Sequence, residues 1–215
     1  CDYLLEQGYM PKMLTPSRFS RRLHRLFLPL LDLFDCLGMI LKSINASTEY
    51  LLDSFPVPIC DNIRIPRARL VHSEDYRGDI ASKKRYFYGI RVQLLGTREG
   101  IPVEFAFLPG EAHDTRGLNA LPFNLPDGSS VYADAGYTDY LCEDDLEAAD
   151  NIALKVMRKR NSHRPDPPWV AYIKQCTRHY IETIFSEITR RFPKSIHAVT
   201  IDGFLLKLAT FIVAF

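Results

Sequence analysis

Apolar residues recur at helical spacing near the start of the chain. Phe19, Leu23, Leu26 and Leu30 form one stripe, Ser17 is placed to cap it, and Arg18, Arg21, Arg22 and Arg25 fill much of the other side. Pro29 is expected to kink or end this helix, with a second helical run over residues 30–42. The pattern then changes to strand: Glu49, Tyr50, Leu51, Leu52 and Asp53 form a short apolar segment that runs into a Ser-Phe-Pro turn. Residues 54–82 carry Pro56, Pro58 and Pro66 among many polar groups and read as a long irregular segment. Tyr86, Tyr88, Ile90, Val92 and Leu94 alternate at period two, and a turn over residues 96–100 leads into a partner strand over 101–108.

Downstream, residues 113–121 predict a short helix stopped by Pro122, and Ser130–Ala133 a brief strand. A helix over 138–149, a strand over 152–156, a long helix over 170–189 and an apolar helix over 204–215 complete the series. This order predicts an α/β architecture, a mixed sheet flanked by helices. The first three strands should be antiparallel neighbours and the later ones linked by crossovers. A helical segment over residues 1–46 would precede a main domain over 47–215.

Composition supports a packed core: of 215 residues 47% are hydrophobic and 12% aromatic. The formal charge of +1 conceals local bias. Basic residues cluster over 12–25, 64–91 and 155–164, while 139–150 is acidic, a distribution suited to a polyanionic partner. Cys1, Cys36, Cys60, Cys142 and Cys176 lie far apart, which suits neither a disulfide framework nor a zinc site. No apolar run approaches the roughly 20 residues a bilayer requires. The first residue is Cys1 and not Met, so further residues are expected ahead of it, and no signal peptide is visible. HExxH, GxSxG and Walker patterns do not occur, which removes support for zinc proteases, serine hydrolases and P-loop enzymes.

Three acids stand out by position. Asp53 ends an apolar strand, Asp134 ends the strand after the hairpin, and Glu182 lies among Ile181, Ile184 and Phe185 on the long helix. Carboxylates at the ends of adjacent strands, joined by a third from a covering helix, can gather the oxygens that Mg²⁺ requires. Each also has a structural alternative: Asp53 as a turn cap, Asp134 as the holder of the turn marked by Gly136, and Glu182 as the partner of Arg178 one turn earlier. Lys155, Arg158, Lys159, Arg160 and Arg164 share a loop with Trp169 close behind, a combination that suits a DNA backbone and a splayed base, or simply a solvated loop. Arg18, Arg21, Arg22 and Arg25 could meet phosphates from one helix face, or face solvent. His113 and Asp114 are expected to cap the short helix, and His179 sits between Arg178 and Glu182.

Several segments, taken in order, resemble the DDE transposases of bacterial insertion sequences, especially the family designated nine-eighty-two. The Asp53-Ser54-Phe55-Pro56 segment with Cys60-Asp61-Asn62 is similar to the first-Asp region, and residues 76–89, with Lys83 and Lys84, to the basic lead into the second strand. Asp134-Ala135-Gly136-Tyr137 resembles the Asp-x-Gly-Tyr motif, and Arg178 to Glu182 the Arg-x-x-x-Glu helix. Phe192-Pro193 and residues 198–207 resemble the family's segment after that helix, so the likeness covers the chain from about Ser17 onward. There are departures: Gln175 and Thr189 stand where related transposases often have Tyr and Lys, with Arg190 next to the latter.

The resemblance implies an RNase H-like fold in which Asp53, Asp134 and Glu182 are catalytic and hold two Mg²⁺ ions, with Mn²⁺ able to replace them. It implies strand cleavage and transfer at inverted-repeat ends of double-stranded DNA, a homodimer on DNA, and a bacterial, cytoplasmic, nucleoid-associated protein with no membrane partner. DNA contacts are expected from Arg18, Arg21, Arg22, Arg25, Lys83, Lys84, Arg158, Lys159, Arg160, Trp169 and Arg178. Residues 1–46 would then be the C-terminal part of a DNA-binding region in an N-terminally truncated chain. The alternatives are a nuclease of the same fold and an inactive DNA-binding remnant of a decayed element.

Overall fold

The computed structural model describes residues 5–9, 11–12, 14–60, 65–66, 68, 70–80, 85–193 and 196–214. Two helices open the fold, α1 (Pro16–Arg25) and α2 (Phe27–Ile44). The sheet follows as β1 (Glu49–Cys60), β2 (Arg77–Ile80), β3 (Arg85–Thr97) and β4 (Pro102–Pro109). After α3 (Asp114–Leu118) come β5 (Ser130–Ala133), α4 (Tyr140–Asp150), β6 (Ala153–Val156), α5 (Pro168–Arg191) and α6 (Ile201–Val213).

The strands form one sheet in the order β2, β3, β1, β5, β6, with β4 pairing β3 beside β2. β3 is antiparallel to β1, β2 and β4, whereas β5 is parallel to both β1 and β6. This is the mixed sheet flanked by helices of an RNase H-like fold. Each face carries its own core, because side chains alternate along strands. Leu51, Phe55, Val92 and Leu94 meet Ile181, Phe185 and Ile188 of α5 and Phe204 and Leu208 of α6. On the other face Tyr50, Leu52, Leu95 and Val131 pack with Leu118, Phe123 and Tyr137.

Several sequence expectations need correction. The first helix begins at Pro16 behind Thr15, which makes no side-chain cap, so Ser17 lies inside the first turn. The break falls at Leu26, and Pro29 sits in the first turn of α2, where its missing N–H costs nothing. Residues 54–60 are not irregular, since β1 runs on to Cys60 through Pro56 and Pro58. Prolines are admissible there because β5 pairs only with Glu49 to Leu52, leaving the rest of β1 as an edge. β2 is a further strand that the sequence pattern did not reveal.

Helix α2 covers the β4 edge, a position that withholds that edge from other chains. Gly38 allows the approach, since a Cβ there would lie 2.5 Å from the Val103 carbonyl oxygen. Phe34 meets Phe105 edge-on at 4.8 Å. Lys42 Nζ donates to Glu104 Oε1 at 2.6 Å and to the Asn124 carbonyl at 2.9 Å, and both partners of the ion pair are buried. Glu104 also accepts the backbone N–H groups of Phe123 and Asn124, each at 3.0 Å.

Removing one member of a buried pair leaves an uncompensated charge, which costs roughly 3–5 kcal/mol. Lys42→Met should therefore destabilise the protein by about that much in urea denaturation. Lys159→Met, at an exposed position, should change stability by less than about 0.5 kcal/mol.

Candidate active site

The β1–β5 register sets the first two acids. Parallel pairs run from Glu49 opposite Ser130 to Leu52 opposite Ala133, and the next residue on each strand is an aspartate. Asp53 thus lies within β1, opposite Leu94 of β3 and one residue past the last β1–β5 pair, and not at a strand end as the sequence suggested. Asp134 directly follows the end of β5, and neighbouring strands lie about 4.8 Å apart. Asp53 Oδ1 accepts the Ser54 N–H at 2.7 Å. Asp134 caps the turn Ala135–Tyr137, accepting the Ala135 N–H at 2.5 Å. The turn is anchored by Tyr137, whose buried hydroxyl donates to Gln93 Oε1 of β3 at 2.6 Å.

Glu182 comes from α5, whose Ile181, Phe185 and Ile188 are buried on the sheet. Lys174 fixes the first half of this helix, donating to the Val156 carbonyl at 2.9 Å and to both oxygens of Asp166 at 2.8 Å. One turn further, Arg178 joins two of the acids. Its Nη1 lies 3.6 Å from Asp134 Oδ1, and its Nε donates to Glu182 Oε1 at 3.1 Å. All three side chains are about half exposed, so these pairs are screened and contribute little stability.

The acids also meet electrostatically at Asp53. Burial, and then the charges of Asp114, Asp134 and Glu182, push its carboxyl up to about 7 against the lowering effect of the Ser54 N–H bond. Burial likewise holds the Tyr137 phenol well above its ordinary value, with Asp53 and Asp114 adding to the effect. Asp53 and Glu182 border a cleft of about 1030 Å³ that also includes Ser54, Arg91, Asp114 and Ser186.

A divalent ion fits the chemistry of these donors, three carboxylates of which two already share one cation, Arg178. Among the described residues, no three His, Cys, Asp or Glu side chains are drawn close enough to share an ion in this arrangement.

The other expected contacts are scattered. Arg18, Arg21, Arg22 and Arg25 line one shallow exposed patch on α1. Arg158 is drawn into a bidentate, largely buried pair with Glu143 and lies over the Tyr140 ring, while Lys159 and Arg160 beside it are exposed. Arg164 pairs with Asp144 at 2.6 Å. Trp169 is 67% exposed near the start of α5 and so is not a core residue. Lys83 and Lys84 lie outside the described residues. The structure adds Asp114, Arg91 and Ser54 to the acids' surroundings. For Asp114 the sequence signal was the His113-Asp114 pair after a strand, and Ser54 stood in the segment around Asp53. Among the described residues no helix is long and apolar enough to cross a membrane.

The raised Asp53 value carries a pH dependence. Between about pH 4 and 7 the native state holds a proton that the unfolded chain, with an aspartate value near 3.9, has released. In chelator, stability should therefore fall as pH rises through that window. Thermal melts at pH 5 and pH 8 should show this loss for the wild type, and a distinctly smaller one for Asp53→Asn.

A family model described as "Transposase DDE domain" matches residues 45–212. No curated protein and no solved structure matches the chain.

Proposed function

Since the chain belongs to the DDE transposase family, with the family's domain over residues 45–212, we propose that it cleaves and joins DNA at the inverted-repeat ends of an insertion sequence, with Asp53, Asp134 and Glu182 as catalytic carboxylates. The observation that carries this reading is the parallel register ending at Leu52–Ala133, which sets Asp53 beside Asp134 while Arg178 ties Asp134 to Glu182. The insertion-sequence family designated nine-eighty-two and action as a homodimer on DNA belong to the same proposal. So does the division into a DNA-binding segment over 1–46 and a catalytic domain over 47–215.

Two Mg²⁺ ions, or Mn²⁺ in their place, would supply activation of the attacking oxygen and stabilisation of the leaving oxygen in phosphoryl transfer. Asp53 would present its oxygens from within β1 and Asp134 from the residue after β5, and Glu182 would approach from α5 on a half-exposed side chain now paired with Arg178. Arg178, once released from Asp134 and Glu182, can pair with a DNA phosphate. Phe55 and Phe185 form an apolar border to the cleft and limit water beside Asp53. The exposed Lys159, Arg160 and Trp169, and the arginines of α1, suit contacts along the DNA backbone.

Asp53→Asn, Asp134→Asn and Glu182→Gln should each abolish nicking of an inverted-repeat substrate in Mg²⁺ and leave its gel shift largely intact. Nicking without joining by the wild type would assign a nuclease, and a gel shift alone an inactive remnant. Wild-type cleavage by any one variant would remove that residue from the site.

Neutralising Lys159 and Arg160 together should reduce the slope of log affinity against log salt by about 0.9 for each duplex phosphate that these residues neutralise. Arg158→Ala should act chiefly on stability, because it leaves Glu143 buried without its partner. An unchanged slope in the Lys159/Arg160 variant would place both residues away from DNA.

A further inference from the structure

A fourth carboxylate reaches the same part of the sheet. Asp114, the first residue of α3, accepts a hydrogen bond from Ser54 Oγ at 3.0 Å. Arg91 Nη1 lies 3.6 Å from the same Asp114 oxygen and donates to Ser54 Oγ at 3.3 Å. Arg91 is held in turn by the Asp79 carbonyl, which accepts from Nη2 at 3.2 Å. The second Asp114 oxygen stands over the turn after Asp134, where a Cβ on Gly136 would come within 2.5 Å of it. Asp114 therefore touches the residue after Asp53 and abuts the second residue after Asp134.

An aspartate in the first turn of a helix is favourable in itself. That accounts for the residue type and not for these contacts, since α3 has only five residues and Asp114 points away to two other elements. The contacts lie where the backbone ladder gives out, as β1 and β5 are paired only as far as Leu52–Ala133. No further β1–β5 residue pair forms beyond it, so the two aspartates are the first residues past the paired stretch.

We propose that Asp114 is a positioning residue for the catalytic carboxylates: braced by Arg91, it holds Ser54 on one side and the Asp134–Tyr137 turn on the other, and so sets the distance between Asp53 and Asp134. The proposal rests on the reading of those two residues as ion-holding acids. Asp114 acts through its neighbours, as the outer partners of metal ligands do, and the loss of such partners typically costs 10–100-fold in metal affinity or activity. It also explains the glycine of the Asp-x-Gly-Tyr motif: a larger residue at 136 would push Asp114 off Ser54.

The test is Mn²⁺ titration calorimetry on the full chain, with DNA nicking rates and melting temperatures alongside. Asp114→Ala should weaken Mn²⁺ binding and slow nicking by about 10–100-fold. Asp114→Asn, which keeps an acceptor for Ser54, should recover most of both. Gly136→Ala should weaken Mn²⁺ binding on its own but add little on top of Asp114→Ala, because both changes break the same contact. If Asp114→Ala does not fold, Ser54→Ala removes the same hydrogen bond from the other side and should weaken Mn²⁺ binding by a smaller factor. Wild-type Mn²⁺ affinity in Asp114→Ala or in Ser54→Ala, or additive effects at 114 and 136, would overturn the positioning role and leave the transposase reading intact. Failure of Asp114→Asn to recover would place the effect in charge alone and overturn it as well. Absence of Asp53-dependent Mn²⁺ binding in the wild type would remove both readings together.

Discussion

Four residue pairs, from Glu49–Ser130 to Leu52–Ala133, hold β1 and β5 parallel, and the position of every acid at the site depends on them. Side chains alternate along a strand, so a slip of one residue would exchange the core and site faces of the whole segment. The register is protected against that slip by the residues it buries, with Leu51 on one face and Tyr50, Leu52 and Val131 on the other. β5 then ends while β1 continues to Cys60 paired with β3 alone, and the cleft opens along that stretch of β1. Pro56 and Pro58 lie there and blunt an edge that another strand could otherwise join.

Helix α5 reads the same strand ends from above. Lys174, Arg178 and Glu182 succeed one another at intervals of four residues, about 6 Å along a helix, against a strand spacing of about 4.8 Å. Lys174 bonds the last carbonyl of β6, Arg178 pairs with Asp134 after β5, and Glu182 acts on Asp53 of β1. One helical turn thus corresponds to one strand. The stripe is polar because it crosses the open ends of the sheet, while Ile181, Phe185 and Ile188 beside it are buried. Arg178 and Glu182 are therefore positioned by apolar packing a residue or two away, and their own half-exposed pairs need contribute little, whereas the Lys174–Asp166 pair is largely buried.

Elements with a clear period were legible in the sequence. The alternation through Tyr86 to Leu94 is β3, Ser130–Ala133 is β5 as expected, and the long helix is α5 with two more residues at each end. Asp53 and Asp134 could be singled out because an acid after an apolar run breaks the local pattern, although β1 does not end at Asp53 as that pattern suggested. Three features could not be read in this way. Prolines 56 and 58 signal a loop unless the missing neighbour of β1 is known, and that absence is a property of the sheet and not of the segment. Arg158 looks like its basic neighbours in sequence, yet Glu143 of α4 claims it. Asp114 looked like an ordinary helix-start residue because its partners, Ser54 and Gly136, are brought to it only by tertiary folding.

The site also works against the stability of its own fold. Asp114, Asp134 and Glu182 each act on Asp53, and Arg91 and Arg178 stand among these acids as cations. Arg91 Nε and Gln93 Nε2 are buried without hydrogen-bond partners, a further cost next to the same residues. Two cores, one on each face of the sheet, keep these groups in place, so the repulsion at Asp53 cannot be relieved by moving the strands apart. It is relieved instead by taking up charge: a proton at low pH, or a cation of higher charge than a guanidinium at neutral pH. On the proposed reading, a divalent ion would supply that relief at Asp53, where apolar packing on both faces of the sheet keeps the strands from moving apart.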